Sequence, residues 1–294
     1  MGKFQRSFYE KSYNRHDGIE QLQKMPWFKF LKRDIEKGEV FPALRYNGSI
    51  HFYYKGARIC EYNGNLHGIP KANRDKKLFN PDTQDAYEEI KKDCLEWSKN
   101  VRGIKERTQL SEIYSKFSPY AGANSSIILL DIEIGFPTLF LNNQEIHANT
   151  QVDLLFLHKN TGKLYFVEAK EADDSRIKKK YTGQSKEELY NSLEVAKQLK
   201  KYNANLSARE DEILAAYREY LSVMSEIFDC DIYSYPLGLY GCTKLLVYGK
   251  STDNGVKSLD AIHSVLKDDL IVFPKGLNEI DYLTEKITGG SCHA

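Results

Sequence analysis

The sequence predicts an α/β protein, and three observations carry that prediction. Segments Ile127–Phe136, Gln151–His158 and Lys163–Lys170 are close to continuously apolar, as expected of strands covered on both faces. Helical periodicity brackets them, over Ile104–Phe117 before and Ser185–Tyr202 after. Another strand-like run, Lys244–Tyr248, follows the second helical stretch. Helix, three strands, helix, strand is the order of a layered α/β core.

Taken in chain order, residues 1–100 read as an N-terminal α+β accessory region and residues 101–294 as the core. Ile19–Lys37 has helical punctuation and stops at Gly38. Val40–Tyr46 and Ile50–Tyr54 flank Asn47-Gly48, a strong hairpin signal, and Arg58–Tyr62 extends that small sheet. Residues 63–82, with Gly64, Gly68, Pro70 and Pro81, form a connector, and Thr83–Asn100 is helical. In Ile104–Phe117, Leu110, Ile113, Tyr114 and Phe117 share one face. After Tyr202 a longer helix is expected over Ala208–Phe228, then a helix at Leu259–Leu266 and a short strand at Leu270–Phe273.

Composition narrows the function classes. With 41% hydrophobic residues, 20 Tyr and 14 Phe, the chain can build a packed core, which excludes wholesale disorder. Mean hydropathy is −0.55, and runs such as Ile127–Leu130 fall far short of a membrane span, so no membrane partner is expected. The first residues lack a secretory apolar stretch, and Arg6 breaks a myristoylation pattern. Five scattered cysteines with no C-x-x-C read as ordinary thiols, pointing to a reducing, cytoplasmic setting. Net charge is +1, but it is segregated: residues 1–80 carry +8, 81–150 carry −4, 151–203 carry +3 and 204–294 carry −6. The basic first region and the stretch Arg176–Lys180 fit either a phosphate-binding surface or a solvated lysine face. No H-E-x-x-H, Walker A loop, G-x-G-x-x-G or G-x-S-x-G occurs.

The chemistry concentrates in Gln151–Lys170. Asn160-Thr161-Gly162 marks a hairpin turn, and a two-residue loop there sets Asp153 directly opposite Glu168. A bulge at Gly162 would make them diagonal neighbours instead. Lys170, two residues past Glu168, points to the same face. Two facing carboxylates are destabilising without a compensating charge, and a cation is the natural one. Glu106 falls in the middle of the apolar stripe of its helix while Glu112 faces out, so a carboxylate is aimed where it needs a partner. Gln198 and Tyr202 share a helix face at i, i+4, with Gln184 and Tyr190 as a looser competing pair. The aromatic–basic hairpin His51–Lys55 could stack bases or simply face a sheet neighbour.

This set of residues resembles the PD-(D/E)XK nuclease superfamily: a helix with Glu106, strands with Asp153 and Glu168-Ala169-Lys170, and a helix with Gln198-x-x-x-Tyr202. The last element is similar to its RecB-like branch. The resemblance covers residues 104–202 and the strand at 244–248, with Val152 where the name-giving proline would stand. It implies a restriction-endonuclease-like core, a central mixed β-sheet flanked by helices, and a metal-dependent nuclease acting on DNA ahead of RNA. In it Asp153, Glu168 and the Ala169 carbonyl would hold Mg²⁺, or Mn²⁺, and Lys170 would orient the attacking water or stabilise charge. Glu106 would be the helix-borne acid, with Asp131 and Glu133 as rival sources, and Gln198 and Tyr202 would contact phosphate or bracket the site. The alternative is a nuclease-fold protein that binds nucleic acid or acts as a scaffold without cleaving it. Phosphodiester hydrolysis needs charge neutralised at phosphate oxygens and a water activated near neutral pH, both within reach of a hard cation held by carboxylates.

Overall fold

The computed structural model describes residues 3–6, 8, 15–63, 67–68, 80–99, 104–122, 124–141, 144–146, 151–178, 185–230, 232, 235–249, 253–273 and 280–290. The chain divides into two compact units, each discontinuous in sequence. One comprises residues 5–124 and 215–235; the other comprises 1–4, 125–214 and 236–294. The helix bearing Glu106 belongs to the first unit.

In that first unit the single helix expected over Ile19–Lys37 is two, α1 (Arg15–Lys24) and α2 (Phe28–Glu36). The break falls at Met25-Pro26-Trp27, where proline lacks the N–H needed to continue the helix and its ring clashes with the preceding turn. Strands β1 (Val40–Leu44), β2 (Ile50–Tyr54) and β3 (Ala57–Tyr62) form the expected antiparallel meander, joined by the two-residue β4 (His67–Gly68). Leu44 pairs with Ile50 across Asn47-Gly48, and Gly48 supplies the positive φ of 81° that the turn requires. Helices α3 (Gln84–Lys99) and α4 (Ile104–Phe117) follow. Leu110, Ile113, Tyr114 and Phe117 are buried and Glu112 is exposed, so the apolar stripe of α4 faces the core.

The second unit is built on a six-stranded mixed sheet. Strands β5 (Ile127–Gly135), β8 (Gln151–His158) and β9 (Lys163–Glu171) form an antiparallel meander, with a small separate hairpin, β6 (Leu139–Leu141) and β7 (Gln144–Ile146), between the first two. β10 (Gly238–Leu239) and β11 (Lys244–Tyr248) both run parallel to β9, and β12 (Leu270–Phe273) runs parallel to β11. The connection from β9 to β11 carries α5 (Ser175–Lys178), α6 (Lys186–Ser192), α7 (Glu194–Ala208) and α8 (Glu210–Phe228). α9 (Asp253–Leu266) and α10 (Ile280–Thr288) complete the helices. Ser185–Tyr202 is thus not one helix: Leu193, with ψ 115° and no exposure, separates α6 from α7 by an extended residue anchored in the core.

Burial explains the strand composition, since every residue from Leu164 to Lys170 is under 6% exposed. A chain of rings, Phe4–Phe136 at 5.5 Å and Phe136–Phe166 at 5.7 Å, fills one face of the sheet. Lys244, fully buried at the start of β11, donates to the carbonyls of Asp268 at 3.0 Å and Gly289 at 2.9 Å, which ties the end of α10 to the sheet. Cys60, Cys94 and Cys230 are free, but Cys242 is disulfide-bonded, so the expectation of ordinary thiols fails at that position. No described helix is long and apolar enough to cross a membrane.

Candidate active site

Register assembles the site. The β8–β9 ladder pairs Leu157 with Leu164 and continues to Leu154 with Val167, without a shift. The next position sets Asp153 opposite Glu168, so the in-register alternative holds and the turn's irregularity is absorbed by Gly162 at φ 66°. Across the other edge of β8, Ile132 pairs with Leu154 and Ile134 with Val152, which sets Glu133 opposite Asp153. Glu133, Asp153 and Glu168 therefore occupy one row across three adjacent strands. A register shift between Leu129 and Asp131 precedes that row, and Glu133 itself adopts φ 51°, a left-handed backbone that non-glycine residues rarely take.

Within the row every polar atom of Glu168 is engaged. Its Oε1 accepts from the Lys170 ammonium and from Gln198 Nε2 at 2.8 Å, and its Oε2 faces the Tyr202 hydroxyl at 3.1 Å. Tyr202 accepts from Gln198 at 2.6 Å and lies 2.7 Å from the Gln151 carbonyl, so its one proton is directed either there or to Glu168. Asp153 Oδ2 accepts the Ala169 backbone N–H at 2.8 Å and stands 3.8 Å from Lys170 Nζ. The Ala169 carbonyl accepts from Lys170 at 2.9 Å. Helix α7 brings its two residues into place because Val195, Leu199, Tyr202 and Leu206 form its buried stripe, with Gln198 at the border.

Electrostatics follows from that crowding. Burial, then the facing Asp153 charge, pushes the Glu168 carboxyl up to about 8 against the pull of Lys170. Asp153 is also raised, first by burial and further by Glu133, with Lys170 and the Ala169 N–H opposing. The Tyr202 hydroxyl is pushed up by burial and by Glu168. One ammonium is not enough counter-charge for a buried carboxylate and the half-buried one facing it. Such a donor set, two carboxylates and a carbonyl beside an ammonium, has the chemistry of a hard-cation site. Among the described residues, however, no three or more His, Cys, Asp or Glu side chains converge as a metal-holding group.

Five of the residues singled out from the sequence thus come together: Asp153, Glu168, Lys170, Gln198 and Tyr202. Ala169 joins them through its backbone. Glu106 lies on α4 in the other unit, and its side chain is outside the described residues, as are Gln184 and the side chain of Tyr190. Asp131 is fully buried and its Oδ1 accepts its neighbour Ile132's N–H at 2.8 Å. In the basic stretch 176–180, Arg176 is tied to Asp174 by two contacts, 2.9 and 2.6 Å, Ile177 is buried, and the side chains of Lys178, Lys179 and Lys180 lie outside the described residues. Sequence reading missed the Gln151 carbonyl, and a backbone acceptor leaves no signature in residue type. No protein-family model, curated protein or solved structure matches the chain.

Proposed function

We propose that this chain is a metal-dependent nuclease that hydrolyses phosphodiester bonds in nucleic acid, DNA in preference to RNA, with Mg²⁺ or Mn²⁺ as its cation. The observation that carries the reading is the facing pair Asp153 and Glu168, both raised, with Lys170 on the same face. Asp153 and Glu168, with the Ala169 carbonyl, would hold the cation. Bound there, it would supply positive charge to phosphate oxygens and lower the pKa of an attacking water.

The chain's own groups have separable tasks. The Ala169 N–H holds one oxygen of Asp153, whose side chain is 28% exposed while that of Glu168 is 2%. Gln198 and Tyr202 fix the plane of the Glu168 carboxylate. Lys170, once released from Glu168, is a compact donor for a phosphate oxygen or for the nucleophile. Such charge placed in a water-poor site stabilises a developing oxyanion more strongly than it would in bulk water.

One observation favours the second reading, a nuclease-fold protein that binds nucleic acid or scaffolds without cleaving. Both Glu168 oxygens already have donors from the chain, so Lys170, Gln198 and Tyr202 could be a finished structural network. Plasmid cleavage in Mn²⁺ by wild type and by Asp153→Asn separates the two. The nuclease reading requires cleavage by wild type and its loss in the variant; a variant that cleaves like wild type ends the assignment.

A further inference from the structure

Among the described residues, the candidate site is closed around Glu168 and open at its margin. Glu168, Lys170 and Tyr202 are 1%, 4% and 0% exposed, whereas Gln151 is exposed and Asp153 and Gln198 are half-buried. Gln151, Asp153 and Gln198, with Glu133 half-buried on the β5 side, mark the edge along which a polymeric substrate reaches the site.

On α7 that edge continues into a specific pair of cations. At ~100° per residue, Lys201 lies about 60° and Lys197 about 100° from Gln198 on its solvent side, while Tyr202, Val195, Leu206 and Leu199 lie on the other. Lys200 falls about 160° away, on the far side of the helix. Lys201 is exposed, and among the described residues its ammonium has no ion-pair or hydrogen-bond partner. Lys197 pairs with Glu194 at 2.9 Å, but both side chains are about half exposed, at 49% and 55%. Exposed helix pairs of this kind are weak and exchange readily for a phosphate. Lys200 is instead held by Asn191 Oδ1 at 3.0 Å. Arg176, on α5 of the same connection, is already committed to Asp174.

We propose that Lys197 and Lys201 form the surface that grips the nucleic-acid backbone beside the scissile bond, on the same helix that presents Gln198 and Tyr202 to Glu168. This rests on the nuclease reading of the site. Two ammonium groups one helical turn apart follow a phosphate strand without reading bases.

The test is the salt dependence of binding of a short labelled DNA duplex in EDTA, so that cleavage does not intervene. Wild type is compared with Lys197→Glu/Lys201→Glu and with Lys200→Glu. Each phosphate contact contributes about −0.9 to the log–log slope, so the double variant should flatten it by about 2 and lose affinity most at low salt. Lys200→Glu should leave the slope near wild type. Circular dichroism and Mn²⁺-induced thermal stabilisation should be unchanged in all three, showing an intact fold and site. Wild type that binds no DNA at about 50 mM salt removes both this surface and the nuclease reading. Wild type that binds, with a double variant of unchanged slope or with Lys200→Glu flattening it equally, removes the surface alone.

Discussion

Two buried carboxylates, one in each unit, receive nearly the same kinds of donor and end in opposite electrostatic states. Asp34, 1% exposed, accepts from Lys91 at 2.6 Å, Tyr87 at 3.0 Å, and Arg33 at 2.8 and 3.0 Å. Glu168 likewise faces a lysine and a tyrosine, with a glutamine amide in place of the arginine. Burial works to raise both. At Asp34 the hydrogen bonds from Lys91 and Arg33 overcome it and the carboxyl is held below its usual range. At Glu168 burial and the facing Asp153 prevail, and the carboxyl sits near 8. Burial of the anions makes the difference: Glu39 and Glu88 near Lys91 are about half exposed and solvated, so Asp34 is the one buried carboxylate facing two cations, whereas a single ammonium stands between Glu168 and the facing Asp153 and leaves a deficit. A deficit of that sign marks a place to bind something positive.

Breaking the finished cluster should cost most. Asp34→Asn leaves Lys91, 5% exposed, and Arg33 without their main anion, since Glu39 and Glu88 meet Lys91 only from half-exposed positions. Losing one partner of a buried pair costs about 3–5 kcal/mol, to be measured by denaturant unfolding. A change under about 1 kcal/mol would mean the cluster is better solvated than its burial implies.

The pH responses should run in opposite directions. Asp34 contributes stability that is present above its unfolded-state pKa and lost as pH falls through its lower folded value. For Glu168 the folded form binds the proton more tightly than the unfolded chain, so its contribution is fully present near pH 4.5 and is lost as pH rises towards 8. At about 1.4 kcal/mol per unit of separation, metal-free protein should lose up to about 5 kcal/mol across that window. Glu168→Gln should flatten the loss, matching wild type near pH 5 and exceeding it at pH 8. Hydrogen exchange at the Ala169 and Tyr87 amides reads each unit on its own, because two units need not unfold together.

Smaller effects sharpen the picture around Glu168. Tyr202→Phe removes the one hydroxyl that serves the Gln151 carbonyl and Glu168, for a loss of about 1–2 kcal/mol by thermal denaturation. Asp153→Asn should be at least as stable as wild type in EDTA, gaining up to about 1 kcal/mol from relieved repulsion, because the amide oxygen can still accept the Ala169 N–H. If Asp153 is instead a structural acceptor, that variant should lose about 1–3 kcal/mol.

Much of this site was legible in residue order. Asn160-Thr161-Gly162 sets a register that carries unchanged through the ladder to Leu154–Val167, and strand alternation then determines which face Lys170 shares with Glu168. The i, i+4 spacing of Gln198 and Tyr202 stands because α7 buries Val195 and Leu199 beside them. What escaped is tertiary. Leu193 has ordinary helix propensity and breaks α6 from α7 only because the core claims its side chain. The left-handed backbone of Glu133 has no signature in a residue that is not glycine or asparagine. The small strands β6, β7 and β10 are too short to show a period, and a unit made from two separated segments, 5–124 and 215–235, has no compositional boundary. Pro26 is a miss of a different kind, since its helix break was readable in the residue itself.

The central claim, that Asp153 and Glu168 form a cation site, is tested most directly by calorimetric titration of Mn²⁺ into wild type and into Asp153→Asn/Glu168→Gln at pH 8. The account predicts saturable binding to wild type, absent from the double variant, whose fold is retained. At metal about 100 times Kd, wild type should also gain roughly 2.7 kcal/mol of stability. No binding to wild type at millimolar metal, or equal binding to the double variant, would contradict it.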